Sequence, residues 1–360
     1  MAAKPICDES ADARTSAQWM RMHKTLRRLS KAVHLLNPVT LVRTLDRVDQ
    51  LAQTTRELTR AVDALRVRTQ QLLAIEQMDW ERRDEVRQLE SLLEPDRVRA
   101  HVSRAIAKAT LHSDPFPHLV IDKWLPPDVY HRMIDALPPA VFFADRDESR
   151  QRLAVPFGVA PAYSRRVWQF VAHEVVSGMV GPALTDKLGP TIREYLRSYC
   201  AEMPEDIDLT LHASNGRIML RRPGYVIPPH RDPRWGFVSC LVYLARPGDN
   251  ESHGTQLYRV RDDEEAPSDK PFYIDESRCE LAKSVPFRAN TMLVFLNSEG
   301  AHGASIPADA EPATLERYLY QFRLGPTNPT MADLLKCMPH EKRPLWEGGK
   351  SESAQSGGYD

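Results

Sequence analysis

The chain has 360 residues, with 48 basic and 49 acidic side chains, a formal net charge of −1 and 42% hydrophobic residues. That length holds one substantial domain plus an extension, the net charge conceals a mildly basic N-terminal part and an acidic remainder, and no nucleic-acid-binding motif is present. No apolar run approaches the ~20 residues that span a bilayer. The five cysteines form no C-x-x-C pair, which disfavours a Cys-rich zinc site and suits a reducing compartment. With no apolar signal-peptide core at the N-terminus, a cytoplasmic location is expected.

Residues 1–40 read as a basic N-terminal segment, in which Arg21, Lys24, Arg27, Arg28 and Lys31 make a solvated helix face. A helical or coiled-coil extension is predicted over 41–110. There Val48, Leu51, Thr55, Leu58, Val62, Leu65, Thr69 and Leu72 recur in alternating steps of three and four, which keeps one seam on one side of a helix. The seam becomes irregular through Ile75, Met78, Val86, Leu89 and Leu92 and ends near Pro95. Such a helix either self-associates into a homo-oligomer or folds back on its own domain.

A catalytic domain is predicted over 113–326. Apolar positions at Val167, Phe170, Val171, Val175 and Met179 predict a helix, and Leu188–Tyr199 predicts a second, interrupted near Gly189-Pro190. The Pro- and Gly-rich run Arg222–Pro229 suits a strand edge and leads into His230-Arg231-Asp232. Residues two apart on an extended strand leave the same face, so His230 and Asp232 can reach one ion. Strands are then predicted over Gly236–Leu244, Gly254–Val260, Thr291–Leu296 and Glu316–Arg323, with His302 after the third. Short strands at this spacing suggest an antiparallel jelly roll around a small-molecule cavity. Two imidazoles and a carboxylate can hold Fe(II) on one face of an octahedron and leave three positions open. His118, His173 and His253 read as structural or loop histidines, and the charged run Arg261–Glu280 as a lid or a solvated insertion, a faint hint of a cationic or polar partner. Residues 327–360 read as a C-terminal tail, partly disordered, with Ser351–Asp360 rich in Ser and Gly.

From about Pro115 to Gly325 the chain resembles the Fe(II)- and 2-oxoglutarate-dependent dioxygenases, in their prolyl 4-hydroxylase-like branch. The resemblance is carried by the opening Pro115-Phe116-Pro117-His118-Leu119-Val120-Ile121-Asp122, the H-x-D pair, the strand ending Val242-Tyr243-Leu244, Gly254–Leu257, Asn290-Thr291-Met292-Leu293-Val294-Phe295 and the Arg-led final strand. It implies an α+β fold: a double-stranded β-helix with packed helices behind the N-terminal helical extension. It further implies metal ligands His230, Asp232 and His302, and Arg317 as the cation for the distal carboxylate of 2-oxoglutarate. Tyr243 would supply a hydroxyl to that carboxylate, and Arg323 is the alternative cation. Fe(II), 2-oxoglutarate and O2 are the implied cofactors, with ascorbate in support. The implied reaction hydroxylates an unactivated C–H bond of a peptide, amino acid, sugar or secondary metabolite, releasing succinate and CO2. The chain departs from the family in its long His302-to-Arg317 spacing and in Gly254-Thr255, where Gly-Gly is usual. A catalytically silent jelly-roll scaffold and a cupin-like metal hydrolase or isomerase are the competing readings.

Overall fold

The computed structural model describes residues 22–25, 27, 28, 38–143, 149–154, 158–200, 202–214, 216–261, 273–343 and 346. Arg21 and Lys31 of the basic segment, residues 262–272 of the charged run and the tail 351–360 lie outside the described residues. The chain divides into two units, Met1–Thr69 and Gln70–Asp360.

Helix α1 (Pro38–Glu81) makes up most of what is described of the first unit and runs past its end. Its seam is exposed, from Val48 at 54% to Leu65 at 67%. The seam threonines fit the pattern better than their polarity suggests. The Thr55 and Thr69 hydroxyls donate to the Leu51 and Leu65 carbonyls of their own helix, at 2.8 and 2.9 Å, which satisfies each hydroxyl within the helix.

The second unit begins well before residue 113. Helices α2 (Arg83–Leu92) and α3 (Pro95–Lys108) contribute Leu89, Val98, Val102 and Ile106 to its core, the last three at a four-residue step on one helix face. Residues 70–110 thus belong with the second unit by packing, although their pattern read as an extension. Helix α4 (Pro127–Asp135) follows the first strand. Helix α5 (Ala162–Phe170) passes through a wider π-type segment (Val171–Val180) into α6 (Gly181–Arg197). The expected break at Gly189-Pro190 does not occur. Pro190 is exposed, so the carbonyl it leaves unpaired one turn earlier faces water, while Leu184, Leu188, Ile192 and Leu196 bury the opposite face.

Eleven strands among the described residues form two antiparallel sheets. The larger contains β1 (His118–Asp122), β2 (Arg150–Ala154), β3 (His212–Ala213), β4 (Arg217–Arg221), β6 (Val238–Tyr243), β9 (Thr291–Leu296) and β11 (Arg317–Gly325), in the order β1-β9-β6-β11-β4-β2 with β3 also on β11. The smaller is β5-β10-β7-β8, from β5 (Val226–His230), β7 (Thr255–Val260), β8 (Cys279–Val285) and β10 (Ala301–Ser305). This is the double-stranded β-helix that the strand spacing suggested, with the helices on one outer face. Alternation along the strands divides the core. Val238, Cys240 and Val242 of β6 pack with the helical layer, whereas Leu241 and Tyr243 join Leu257, Phe287, Leu293 and Leu319 between the sheets. Gly254 lies at a close backbone approach, where a Cβ would run into the Val285 carbonyl oxygen.

Beyond residue 327 the chain returns to the fold. Helix α7 (Asn328–Cys337) starts with the Thr327 side chain accepting from the Thr330 N–H. Trp346 is only 1% exposed and packs against Tyr195, Tyr199 and Phe237. A single aromatic after a polar stretch carries no periodic signal, which is why this segment read as tail.

Candidate metal centre

His230 ends β5, and His302 lies directly opposite it on β10, where a register irregularity between His302 and Ala304 bends the strand. The two imidazole centroids are 4.2 Å apart. Asp232 sits just past β5 rather than within it, so the turn after the strand, not the strand's alternation, brings its carboxylate round. His302 Nε2 and Asp232 Oδ2 are 4.0 Å apart, and one ligand atom from each of the three residues lies within 4.8 Å of the others. That spacing suits three donors around one divalent ion, and no other described His, Cys, Asp or Glu group makes such a cluster.

The local electrostatics favour metal binding. The His230 Nδ1–H donates to the Pro228 carbonyl at 3.0 Å, which leaves Nε2 as its free donor atom. Burial, with the His230 imidazole alongside, pushes His302 down to about 3, and burial also lowers His230, so both rings are neutral and hold a lone pair at neutral pH. Burial alone would raise the Asp232 carboxyl. The Arg323 guanidinium and the two imidazoles override it and hold Asp232 well below the usual carboxylate range.

Asp232 is oriented by groups that sequence reasoning did not foresee. Ser239 Oγ, on β6, donates to Oδ2 at 2.5 Å, and Arg323 donates to Oδ1 at 2.8 Å. Arg323, considered above as an alternative co-substrate cation, is thereby committed to the Asp232 carboxylate. The available signal was the two-residue alternation of β11, which puts Arg317, Leu319, Gln321 and Arg323 on one face.

Arg317 lines the cavity, and Tyr243 lies fully buried beside it. Arg317 is 2% exposed, and neither its Nε nor its Nη2 meets a hydrogen-bond partner. Its guanidinium lies 4.7 Å from the Phe287 ring centroid and 5.8 Å from that of Tyr243. The Tyr243 hydroxyl is also without a hydrogen bond of normal geometry, and burial pushes it up to about 12. The buried, unsatisfied Arg317 donors, with the Tyr243 hydroxyl nearby, fit a bound acid. The triad, Arg317, Trp235 and Tyr273 all line a single cavity of about 880 Å3. Tyr273, where the charged run rejoins the described chain, lies 5.8 Å ring to ring from His230.

Fold and site together define a double-stranded β-helix with two histidines and one aspartate clustered at its cavity, a set able to hold a metal ion. No protein-family model and no curated protein matches the chain. Among solved structures, it is similar to a prolyl-4-hydroxylase from Pseudomonas putida at 17% identity, over 63% of this chain and 97% of that one, with a TM-score of 0.33. It is also similar to HygX from Streptomyces hygroscopicus, solved with nickel, 2-oxoglutarate and hygromycin B bound, at 17% identity over 59% of this chain and 83% of that one, with a TM-score of 0.37. A third, from Burkholderia pseudomallei, is an oxidoreductase of the 2OG-Fe(II) oxygenase family, at 10% identity over 59% of this chain and 85% of that one, with a TM-score of 0.34.

Proposed function

We propose that the protein is an Fe(II)- and 2-oxoglutarate-dependent oxygenase that hydroxylates a C–H bond of a small molecule or peptide, with O2 consumed and succinate and CO2 released. The observation that carries this reading is the convergence of His230, Asp232 and His302 in the same cavity as the buried, unpartnered Arg317 nitrogens. His230, Asp232 and His302 are the metal ligands of this proposal. Arg317 receives the distal carboxylate of 2-oxoglutarate, for which its planar fork and permanent charge suit it, and Tyr243 adds a hydroxyl to the same carboxylate. When bound, iron with 2-oxoglutarate and O2 supplies the oxidising power for the C–H bond. The protein's own groups do the rest. Ser239 and Arg323 hold the Asp232 carboxylate in place, Pro228 fixes the His230 tautomer, and the apolar cluster around Phe287, Leu257 and Leu293 keeps water from the co-substrate end.

Anaerobic addition of Fe(II) and then 2-oxoglutarate tests this through the visible metal-to-ligand charge-transfer band. A band that disappears in His230→Ala and weakens in Arg317→Ala supports the assignments. A folded, iron-loaded protein without the band defeats them.

A homo-oligomeric assembly through α1 completes the proposal. Read as heptads, Val48, Thr55, Val62 and Thr69 are β-branched at one core position and Leu51, Leu58, Leu65 and Leu72 occupy the other. That distribution favours two parallel strands. Light scattering on the full chain is expected to report a dimer that Leu58→Asp converts to monomer; a wild-type monomer at micromolar concentration refutes it.

A further inference from the structure

The wall of the cavity is cationic well beyond what the proposed chemistry uses. Its described lining includes Arg150 and Arg152 from β2, Arg217 and Arg221 from β4, Arg231, and Arg317 and Arg323 from β11, against a single carboxylate, Asp232. The sheet register makes this concentration more pronounced. Arg150 pairs with Arg221, and Arg221 pairs with Arg317, so three arginines on adjacent strands share one rung of the ladder. Like charges directly opposite one another across strands are destabilising, and a cavity wall screens them less than open solvent does. One further arginine, Arg217, stands opposite Gln321 on the same wall.

Arg221 and Arg231 donate to the Gln151 and Gly300 carbonyls, each at 2.7 Å. Arg323 holds Asp232 at 2.8 Å, and Arg317 takes the co-substrate's distal carboxylate in the reading above. 2-Oxoglutarate has only one other carboxylate, and that one goes to the metal. Arg150 stands at the opposite end of the rung on β2, the edge strand of its sheet, and has no hydrogen-bond or ion-pair partner among the described residues. It lines the same cavity as His230, Asp232 and His302.

We infer that the substrate is a small molecule carrying an anionic oxyacid group, a phosphate, sulfate or carboxylate, which binds at Arg150 on the β2–β4 side while the carbon to be oxidised faces the triad. This rests on the oxygenase reading and deepens it. The oxyacid supplies acceptors that a guanidinium fork can take two at a time, and its charge offsets that of Arg150. An anchor at one end and a metal at the other fix which C–H bond is presented. The inference reverses the faint hint of a cationic partner drawn from the acidic insertion.

Calorimetric titration of full-length, Ni(II)-loaded protein with phenyl phosphate, phenyl sulfate and benzoate, with and without saturating 2-oxoglutarate, tests it. At least one probe is expected to bind in the presence of 2-oxoglutarate, with an affinity that falls as salt rises, and the strongest of the three identifies the oxyacid. Arg150→Gln should weaken that probe about 10-fold or more, the loss of one charge-assisted contact, and Arg317→Met about 2-fold at most. Arg217→Gln serves as the second variant if Arg150→Gln does not fold. The inference is overturned if no probe binds, if 2-oxoglutarate displaces the probe, or if both substitutions leave its affinity unchanged. Failure of the oxygenase reading is visible separately, as a missing charge-transfer band in protein whose probe binding is intact.

Discussion

Replacing Arg317 by Met should separate what the residue does for binding from what it costs the fold. Arg317 is 2% exposed, and its Nε and Nη2 have no partner, so the unliganded protein carries a buried cation whose donors are not satisfied. Burial already pulls its pKa down, as expected for a charge taken out of water without compensation. A Met of similar length keeps the contact with the Phe287 ring, now 4.7 Å from the guanidinium, and removes the charge. Exchange of a buried ionic group for a hydrophobic one of similar volume is commonly neutral or stabilising by about 1–4 kcal/mol. Loss of one partner from a buried hydrogen-bonded charge pair weakens binding by about 2–5 kcal/mol, or roughly 30- to 4,000-fold. The expected outcome is therefore a ligand-free melting midpoint equal to or a few degrees above that of the wild type, with 2-oxoglutarate binding lost. Calorimetric scans with and without 2-oxoglutarate measure both, because a ligand that binds only the folded state raises the midpoint by an amount that grows with the logarithm of its affinity. A variant that melts several degrees lower and is still stabilised by 2-oxoglutarate as the wild type is would make Arg317 a structural residue and refute this reasoning.

Ser239→Ala removes the 2.5 Å hydrogen bond to Asp232 Oδ2 from a fully buried position and should lower metal affinity about 10- to 100-fold, measured by competition with a chromogenic chelator; unchanged affinity would show that Arg323 alone orients the carboxylate. His118 is 1% exposed, donates from Nδ1 to the Phe116 carbonyl at 2.8 Å and accepts at Nε2 from Lys283 at 3.0 Å, so both ring nitrogens are satisfied only when the ring is neutral. Burial first, and Lys283 with it, lower the pKa of His118. The unfolded ring gains a proton near pH ~6.5 while the folded one resists it, so this contribution is fully present above that pH and is lost as pH falls toward the folded value. Melting midpoints should fall below pH ~6.5, and less steeply in His118→Gln; identical slopes would exclude His118 as the source. Trp346→Ala empties a site that is 1% exposed between Tyr195, Tyr199 and Phe237 and should destabilise by about 3–5 kcal/mol in denaturant titrations, whereas a dispensable tail residue would change little.

The candidate metal ligands were legible because each stands in a strongly local context. A Pro-rich strand edge precedes His230, and a continuous apolar strand precedes His302. The same period-two logic foresaw the strands β6, β7, β9 and β11 to within a residue or two, since burial on one or both faces leaves a direct trace in residue type. The seam of α1 was legible for a similar reason, and its exposure leaves its partner to experiment. Pro190 misled because a propensity rule counts the lost hydrogen bond but not where the freed carbonyl points.

By itself, then, the sequence determined the strand succession, the helical faces and the three residues that cluster at the candidate metal centre, all legible in short-range patterns. Only the tertiary structure decided which side chains meet across strands far apart in the chain: Ser239 and Arg323 on Asp232, Trp346 in the core, and Arg150, Arg221 and Arg317 on one rung. Register sets those encounters, and register depends on the joint packing of both sheets, where a slip of one residue would turn every one of these side chains to the opposite face.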